Sequence, residues 1–338
     1  MARPTPAADG FRMPAEHARH ERTLMAWPCR RELWGGELAR AHAEFAGVAN
    51  AIAAFEPVTM VCAASEDAAA ARAALRGDVE VVELPLDDSW LRDSGPIFVV
   101  GGEARAAVHF GFNAWGEKFH PYDKDSAIGG ILGARLGDEV YRAPFVLEGG
   151  SVAVDGRGTL VTTEQCLLHP NRNPGMSREE LEQGLEDFLG VDRVVWLGRG
   201  LVEDRDTDGH VDLIASFTPA GRVLLQQRPP GDPDHEAMAE NRERARAGGL
   251  DVIPFEPLVR ATVAGEPVIH SYLNLYVANG GVIVPTAGDE QDAGALEAIA
   301  RAYPEREVVG VPGLTIAFGG GGPHCITQQV PATASAPA

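Results

Sequence analysis

The stretch SVAVDGRGTLVTTEQCLLHPNRNPGMSREELEQGLEDFLGVDRVVWL, residues 151–197, contains the unit from which the fold is read. Two short runs, 151–154 and 159–163, read as strands. After them, Ser177-Arg-Glu-Glu180 has the form of a capping box, in which Ser and the Glu three residues on satisfy each other's free backbone amides. The helix it opens carries Leu181, Leu185, Phe188 and Leu189 inward and stops near Gly190, and Arg193-Val-Val-Trp-Leu197 follows as a strand. The order is strand, strand, helix, strand.

Outward from this unit the same order recurs. Strands at 97–100 and 106–110 precede a helix near 123–136 and a strand at 139–142. Strands at 211–217 and 222–227 precede a helix near 234–247 and a strand at 251–254. Strands at 272–278 and 281–285 precede a helix near 290–302 and a strand at 307–311. The chain ends supply a fifth set, with 314–318 and 325–330 joining 23–27, a helix over 38–55 and a strand at 58–62. In that helix Leu38, Ala41, Phe45, Val48, Ile52 and Phe55 draw one apolar stripe, and Pro57 stops it. A period of about 50 to 60 residues signals radial or solenoid repetition. The strand edge left at each terminus is best removed by closing a ring. The expected fold is α/β, a five-fold pseudo-symmetric propeller of strand-strand-helix-strand units, in a single domain over 1–338 with 1–10 and 331–338 as flexible tails. A doubly wound sheet would show mostly single strands between helices, whereas here they come in pairs.

The chain has 49 acidic and 29 basic residues and a formal charge of −20. That balance argues against nucleic acid as a partner, and a negative field raises the local concentration of a cationic substrate. No apolar run approaches the roughly 18 residues of a membrane-spanning helix, and residues 1–10 lack the pattern of a secretion signal. A cytoplasmic protein without membrane attachment is expected. Cys29, Cys62, Cys166 and Cys325 are widely spread with no CxxC pair, so free thiols are expected. Cys62 closes an apolar strand and reads as core packing.

The chemistry-bearing residues collect where each unit begins. These openings are Trp90-Leu-Arg-Asp93-Ser-Gly-Pro96, Leu147-Glu148-Gly-Gly150, Asp206-Thr-Asp208-Gly-His210-Val-Asp212 and Ser271-Tyr-Leu-Asn274. The closing unit offers Gly319-Gly-Gly-Gly322-Pro-His324-Cys325-Ile-Thr327. In a ring, equivalent positions converge on the axis, so Asp93, Glu148, His210, Asp212 and Cys325 are expected to meet in one central pocket. Singly, each has a plainer account. Asp93 suits a turn before Ser-Gly-Pro, and Glu148 a solvated loop. His210 and Asp212, two apart on a strand, suit a structural pair on one face, and Cys325 a small core residue. The glycines ahead of His324 and Cys325 favour a site, because such a run lets backbone approach a ligand closely.

These segments resemble the agmatine deiminases of the guanidino-group-modifying superfamily. The resemblance runs through Met13-Pro-Ala-Glu16, Met25-Ala-Trp-Pro28, Trp90 to Pro96, Asn113-Ala-Trp-Gly116, Leu147-Glu-Gly-Gly-Ser151 and Asn171-Arg-Asn-Pro174. It continues through Thr207-Asp-Gly-His-Val-Asp212, Asn279-Gly-Gly-Val-Ile-Val-Pro285 and His324-Cys-Ile-Thr-Gln-Gln329. It implies the five-fold propeller, no metal or other cofactor, and hydrolysis of agmatine to N-carbamoylputrescine and ammonia through an amidino-cysteine. It also implies that Asp93 and Asp212 flank the guanidinium and that Glu148 bonds the imidazole of His210. Two positions depart from the family pattern. Gly322-Pro323 stands where a Gly-Gly-Gly-Asn run and an apolar residue are usual, and His17 where an aromatic is common. Pro323 fixes φ and removes one N–H donor near the thiol, which bears on turnover rate.

The residue types suit that chemistry. A guanidinium presents a planar fork of N–H donors that carboxylates match bidentately. Attack needs a thiolate, and a free Cys with a pKa of about 8.5 is mostly protonated near neutrality. A substrate cation or a protonated His210 would favour ionised Cys325. His210 would protonate the departing ammonia and later activate water, and the covalent intermediate divides one hard displacement into two easier ones. For agmatine's distal ammonium, Trp90 offers a ring face and Asp206 a counter-charge, with Asp208 close by. An enzyme for free arginine would need a cation there, and Arg199 and Arg205 keep that alternative open. The other readings are a peptidyl-arginine deiminase, an amidinotransferase, and a non-catalytic propeller binding cationic ligands. A zinc hydrolase using His210, Asp212, His324 and Cys325 would lack the compact ligand spacing of zinc sites. A homo-oligomer is left open.

Overall fold

The computed structural model describes residues 5–333. Repeated β-β-α-β units make up the architecture. In each, the first strand runs antiparallel to the second and the second parallel to the third, with a helix carrying the chain across. Parallel pairing requires such a crossover, whereas antiparallel neighbours need only a turn. The strand triplets are Ile97–Gly101, Ala104–Gly111 and Glu139–Val146, then Ala153–Val154, Thr159–Thr163 and Arg193–Leu197. They continue with Ala215–Phe217, Val223–Gln226 and Val252–Phe255, then Tyr276–Ala278, Gly281–Thr286 and Glu307–Pro312. The chain ends share a sheet in which Thr327–Pro331 pairs antiparallel with His20–Ala26, which runs parallel to Val58–Cys62. Its register sets Met25 opposite Thr327, placing Cys325 just ahead of a strand fixed from both ends of the chain.

The helix Arg178–Leu189 shows how local sequence and packing agree. Both capping-box bonds form, Glu180 N to Ser177 Oγ at 3.2 Å and Ser177 N to Glu180 Oε2 at 2.8 Å. Gly190 ends it with φ of 67°, the left-handed conformation that a side chain would strain. Leu181, Leu185, Phe188 and Leu189 are buried, and Phe188 meets Phe110 and Phe145 edge-on. Each such side chain contributes about 1.5 to 3 kcal/mol of burial. A buried polar joint fastens the N-terminal sheet to the strand Tyr276–Ala278. Glu56 accepts from Tyr276 Oη at 3.0 Å and Asn279 N at 2.7 Å, and lies 3.0 Å from His20 Nδ1.

Several local expectations are corrected. Residues 314–318 form the helix Leu314–Phe318, not a strand; the run is too short for periodicity to discriminate. His210 and Asp212 stand at and within the 3-10 turn Val211–Leu213, so strand alternation does not describe them. Cys325 lies in a turn, with the strand beginning only at Thr327. The helix Ser65–Ala74 and strand Glu80–Glu83 extend the first sheet, and Val259–Val263 pairs with Glu266–His270 as an added hairpin. The Ala-rich 65–74 stretch shows little apolar contrast, which is why its helix left no stripe in the sequence. The parts of the expected tails that fall within the described residues are docked. Ala7 N donates to Asp187 O at 3.1 Å, Tyr141 Oη to Asp9 Oδ2 at 2.7 Å, and Pro331 pairs with His20. Residues 1–4 and 334–338 lie outside the described residues.

Candidate active site

The unit openings do converge. Asp93 lies in the helical turn Leu91–Ser94 ahead of Ile97–Gly101, Glu148 precedes the turn Gly149–Ser151, His210 and Asp212 sit at Val211–Leu213, and Cys325 follows the glycine run. All five are buried. Gly150 lies among them so closely that a Cβ there would fall 2.6 Å from His210 Nδ1, 2.8 Å from Asp212 Oδ2 and 2.9 Å from Asp93 Oδ1. That absence of a side chain is what lets the groups share one space.

The nucleophile candidate is held by three hydrogen bonds to two neighbours. Cys325 Sγ donates to Asp212 Oδ2 at 3.3 Å and accepts from Asn274 Nδ2 at 3.1 Å, and Cys325 N donates to Asn274 Oδ1 at 3.3 Å. Burial pushes the thiol well above its ordinary pKa, and the charges of Asp212 and Asp93 push the same way, so the resting sulfur is a thiol. Burial also raises Asp93, whose oxygens accept from Gly150 N at 2.8 Å and Trp115 Nε1 at 2.9 Å. Asp212 behaves oppositely. Burial raises it, but the His324 hydrogen bond and charge outweigh that and hold it below the usual range. Its Oδ1 is buried without a hydrogen-bond partner, as are both ring nitrogens of His210. Such atoms cost free energy unless a ligand or water satisfies them.

In front of Cys325 opens a pocket lined by Trp90, Asp93, Trp115, Phe119 and Asp206 among others. Trp90 is stacked on Trp34 with centroids 6.0 Å apart, which fixes its ring. Asp206 stands at the exposed rim. Aromatic walls, buried carboxylates and a thiol at the base suit a flat cation with an apolar tail.

A family model for Porphyromonas-type peptidyl-arginine deiminase matches residues 12–331. The agmatine deiminase of Pseudomonas aeruginosa is 42% identical over 97% of this chain and 97% of its own. That of Stutzerimonas stutzeri is 43% identical over 97% of each. The solved agmatine deiminase of Enterococcus faecalis superposes with a TM-score of 0.92 at 35% identity, covering 98% of this chain and 99% of that one. The chain belongs to the agmatine deiminase family.

In this family member the geometry departs from expectation at Glu148. Its Oε2 is 4.0 Å from His210 Nε2, and its Oε1 instead accepts from Arg172 Nε at 2.6 Å. His210 is positioned mainly through its backbone, whose N–H donates to Asp204 Oδ2 at 3.0 Å. Arg199 and Arg205 point to solvent and do not line the pocket. Among the described residues the four zinc ligands weighed as a rival do not form one cluster; the ligand-type atoms within 4.8 Å of one another belong to Glu148, Cys166 and His210, and Arg172 donates to that Glu.

Sequence reasoning gave no role to Arg172, Asn274, Trp115 or Glu16, and weighed His324 only as a ligand of the rival zinc site. Arg172 is wholly buried and donates to Glu148, Asn171, Asp208 and the Thr207 carbonyl. Lys118 Nζ donates to Asp208 Oδ1 at 2.8 Å and to the carbonyls of Arg205 and Asp206, strapping the 114–119 segment over the 204–210 loop. Each lay within or beside a quoted motif, but no spacing in the chain announces which atom it faces.

Proposed function

We propose that the chain is an agmatine deiminase, hydrolysing agmatine to N-carbamoylputrescine and ammonia through an amidino-cysteine on Cys325. The observation that carries this reading is the thiol at the base of an aromatic pocket, 3.3 Å from Asp212 and electrostatically coupled to Asp93. Among the described residues lining the pocket there are three aspartates and no Arg or Lys, which favours a substrate without an α-carboxylate over free arginine. The close relation to named agmatine deiminases supports the same substrate.

Agmatine's guanidinium enters between Asp93 and Asp212, and the unpartnered Asp212 Oδ1 accepts one of its N–H donors. That cation offsets the two anions that oppose ionisation of Cys325, so substrate binding itself brings the thiol toward thiolate. An S–C bond forms, a C–N bond breaks, and the thiol proton leaves on ammonia by way of His210. Water, deprotonated by His210, then adds to the thiouronium carbon, and the C–S bond breaks to return the thiol and the ureido product. Glu148, with Oε2 4.0 Å from His210 Nε2, places a negative charge beside the imidazole and is itself held by Arg172. Trp90 covers the methylene chain, and Asp206 meets the distal ammonium.

The architecture behind this is one domain closed as a five-bladed ring. Support comes from the pairing of the two chain ends and from the meeting of all unit openings at Gly150 and Cys325. Among the described residues no helix is long and apolar enough to cross a membrane, and the four cysteines are free, which fits a reducing cytoplasm.

The test is ureido-product formation from agmatine, arginine, a blocked arginyl peptide and methylarginine, for wild type and Cys325→Ala. Agmatine should be preferred and Cys325→Ala inactive. A wide preference for arginine would overturn the substrate, and undiminished turnover by Cys325→Ala the covalent step.

A further inference from the structure

Behind the nucleophile a row of charged groups leads away from the substrate pocket. Asp212 Oδ2, 3.3 Å from Cys325 Sγ, is also 2.9 Å from His324 Nδ1, and His324 Nε2 is 2.7 Å from Glu16 Oε1. The row ends in a second cavity, lined by Glu16, Asp212, Ser216, Leu273 and His324, that shares no residue with the pocket containing Cys325 and Trp90. A neutral imidazole has one N–H and would set a bare lone pair against one of two ionised carboxylates; with both ionised, only an imidazolium satisfies both.

We propose that His324 is a positioning residue for deimination: held as an imidazolium by Glu16, it keeps Asp212 ionised with Oδ2 fixed beside Cys325. The inference rests on the reading of Asp212 as a guanidinium-binding carboxylate. Asp93, Asp212 and Glu148 are three acids in one buried site, and crowded like charges push one of them to take a proton. A cation behind Asp212 decides that Asp212 stays charged, and it leaves Oδ1 free for the substrate.

The groups facing His324 are Glu16 from the N-terminal segment, Arg92 from the turn Leu91–Ser94 and Asp212 from the turn Val211–Leu213, with Cys325 next in the chain. His20 lies beyond Glu16, and Asp93 and His210 beyond Asp212. Burial and Arg92 push His324 down, but Glu16 and Asp212 outweigh them and hold it above its ordinary value. Burial likewise pushes Glu16 up, yet the charge and hydrogen bond of His324 bring it to about 2. The clamp is therefore present at low pH and is lost as pH rises through the raised His324 value. Removing the Glu16 anion moves that loss to lower pH.

Glu16→Gln, Glu16→Asp and His324→Gln would be compared with wild type for agmatine kcat/KM from pH 6 to 10. In parallel, 15N-histidine NMR of the whole chain, with His324→Gln assigning the resonance, reads the protonation of the ring. Both ring nitrogens of His324 should carry protons at pH 7. Glu16→Gln should move the alkaline limb of kcat/KM down by about one pH unit, a loss of about tenfold on that limb and little at pH 6.5. Glu16→Asp should recover most of it. A neutral His324 at pH 7, or a Glu16→Gln loss equal at every pH, overturns the proposal. The NMR needs no substrate, so an inactive wild type would count against the deiminase reading while ring protonation still decides the clamp.

Discussion

Replacing Arg172 by Met should be among the most damaging single changes outside the nucleophile. The guanidinium is wholly buried and donates to Glu148 Oε1 at 2.6 Å, Asn171 Oδ1 at 2.7 Å, Asp208 Oδ2 at 2.8 Å and the Thr207 carbonyl at 3.0 Å. Met fills much of the volume but leaves the Glu148 carboxylate, also fully buried, without its cation. Asp208 is cushioned because Lys118 and Asn171 still reach it. One uncompensated buried charge costs about 3 to 5 kcal/mol. For a chain of 338 residues, about 4 kcal/mol lowers Tm by roughly 6 °C. Without Arg172 the Glu148 carboxylate is no longer fixed 4.0 Å from His210 Nε2, so kcat should fall further than stability alone explains. The assay is scanning calorimetry at pH 8 beside kcat for agmatine, with Arg172→Lys as the control that keeps the charge but loses the fork. A Tm within 2 °C of wild type together with an unchanged kcat would refute the account of Arg172 as the counter-ion on which the site depends.

Gly150→Ala should fold but lose kcat by about 100-fold, since its Cβ cannot stand 2.6 to 2.9 Å from three site residues without displacing them; a loss under tenfold would show that the site relaxes around it. Asp206→Asn should raise the agmatine KM about two- to fivefold with kcat unchanged, the size of an exposed ion pair, and an unchanged KM would remove Asp206 from ammonium binding. Burial raises the Asp125 carboxyl to about 7, although it accepts backbone N–H bonds from Asp87 and Asp88. A carboxyl raised in the folded state binds more protons there than in the unfolded chain, so stability falls as pH rises from about 4 to about 7. Asp125→Asn should flatten that slope in urea midpoints measured across the window, and an unchanged slope would assign the pH dependence elsewhere.

Much of the site could be read before any coordinates. The paired strands, the capping box at Ser177 and the repeated order of elements follow from short-range rules, because hydrogen-bond periodicity and capping act over three or four residues. The openings of the units held Asp93, Glu148, His210, Asp212 and Cys325, and convergence of equivalent positions was enough to expect their meeting. Local rules stopped where a segment is too short to show a period, as at Leu314–Phe318, or where a turn replaces a strand, as at Val211–Leu213.

What the chain alone determined was therefore the chemistry available: one reactive sulfur, one imidazole and a set of acids, each at the mouth of a repeated unit. Which acid faces which base was decided only by tertiary packing. Glu148 turns to Arg172, while His324 stands between Asp212 and Glu16, 308 residues away in sequence. The physical reason is that electrostatic coupling depends on separations of a few ångströms and on burial, and neither is encoded in sequence distance. The charge on Asp212, the protonated resting state of Cys325 and the free acceptor awaiting a guanidinium all come from that packing.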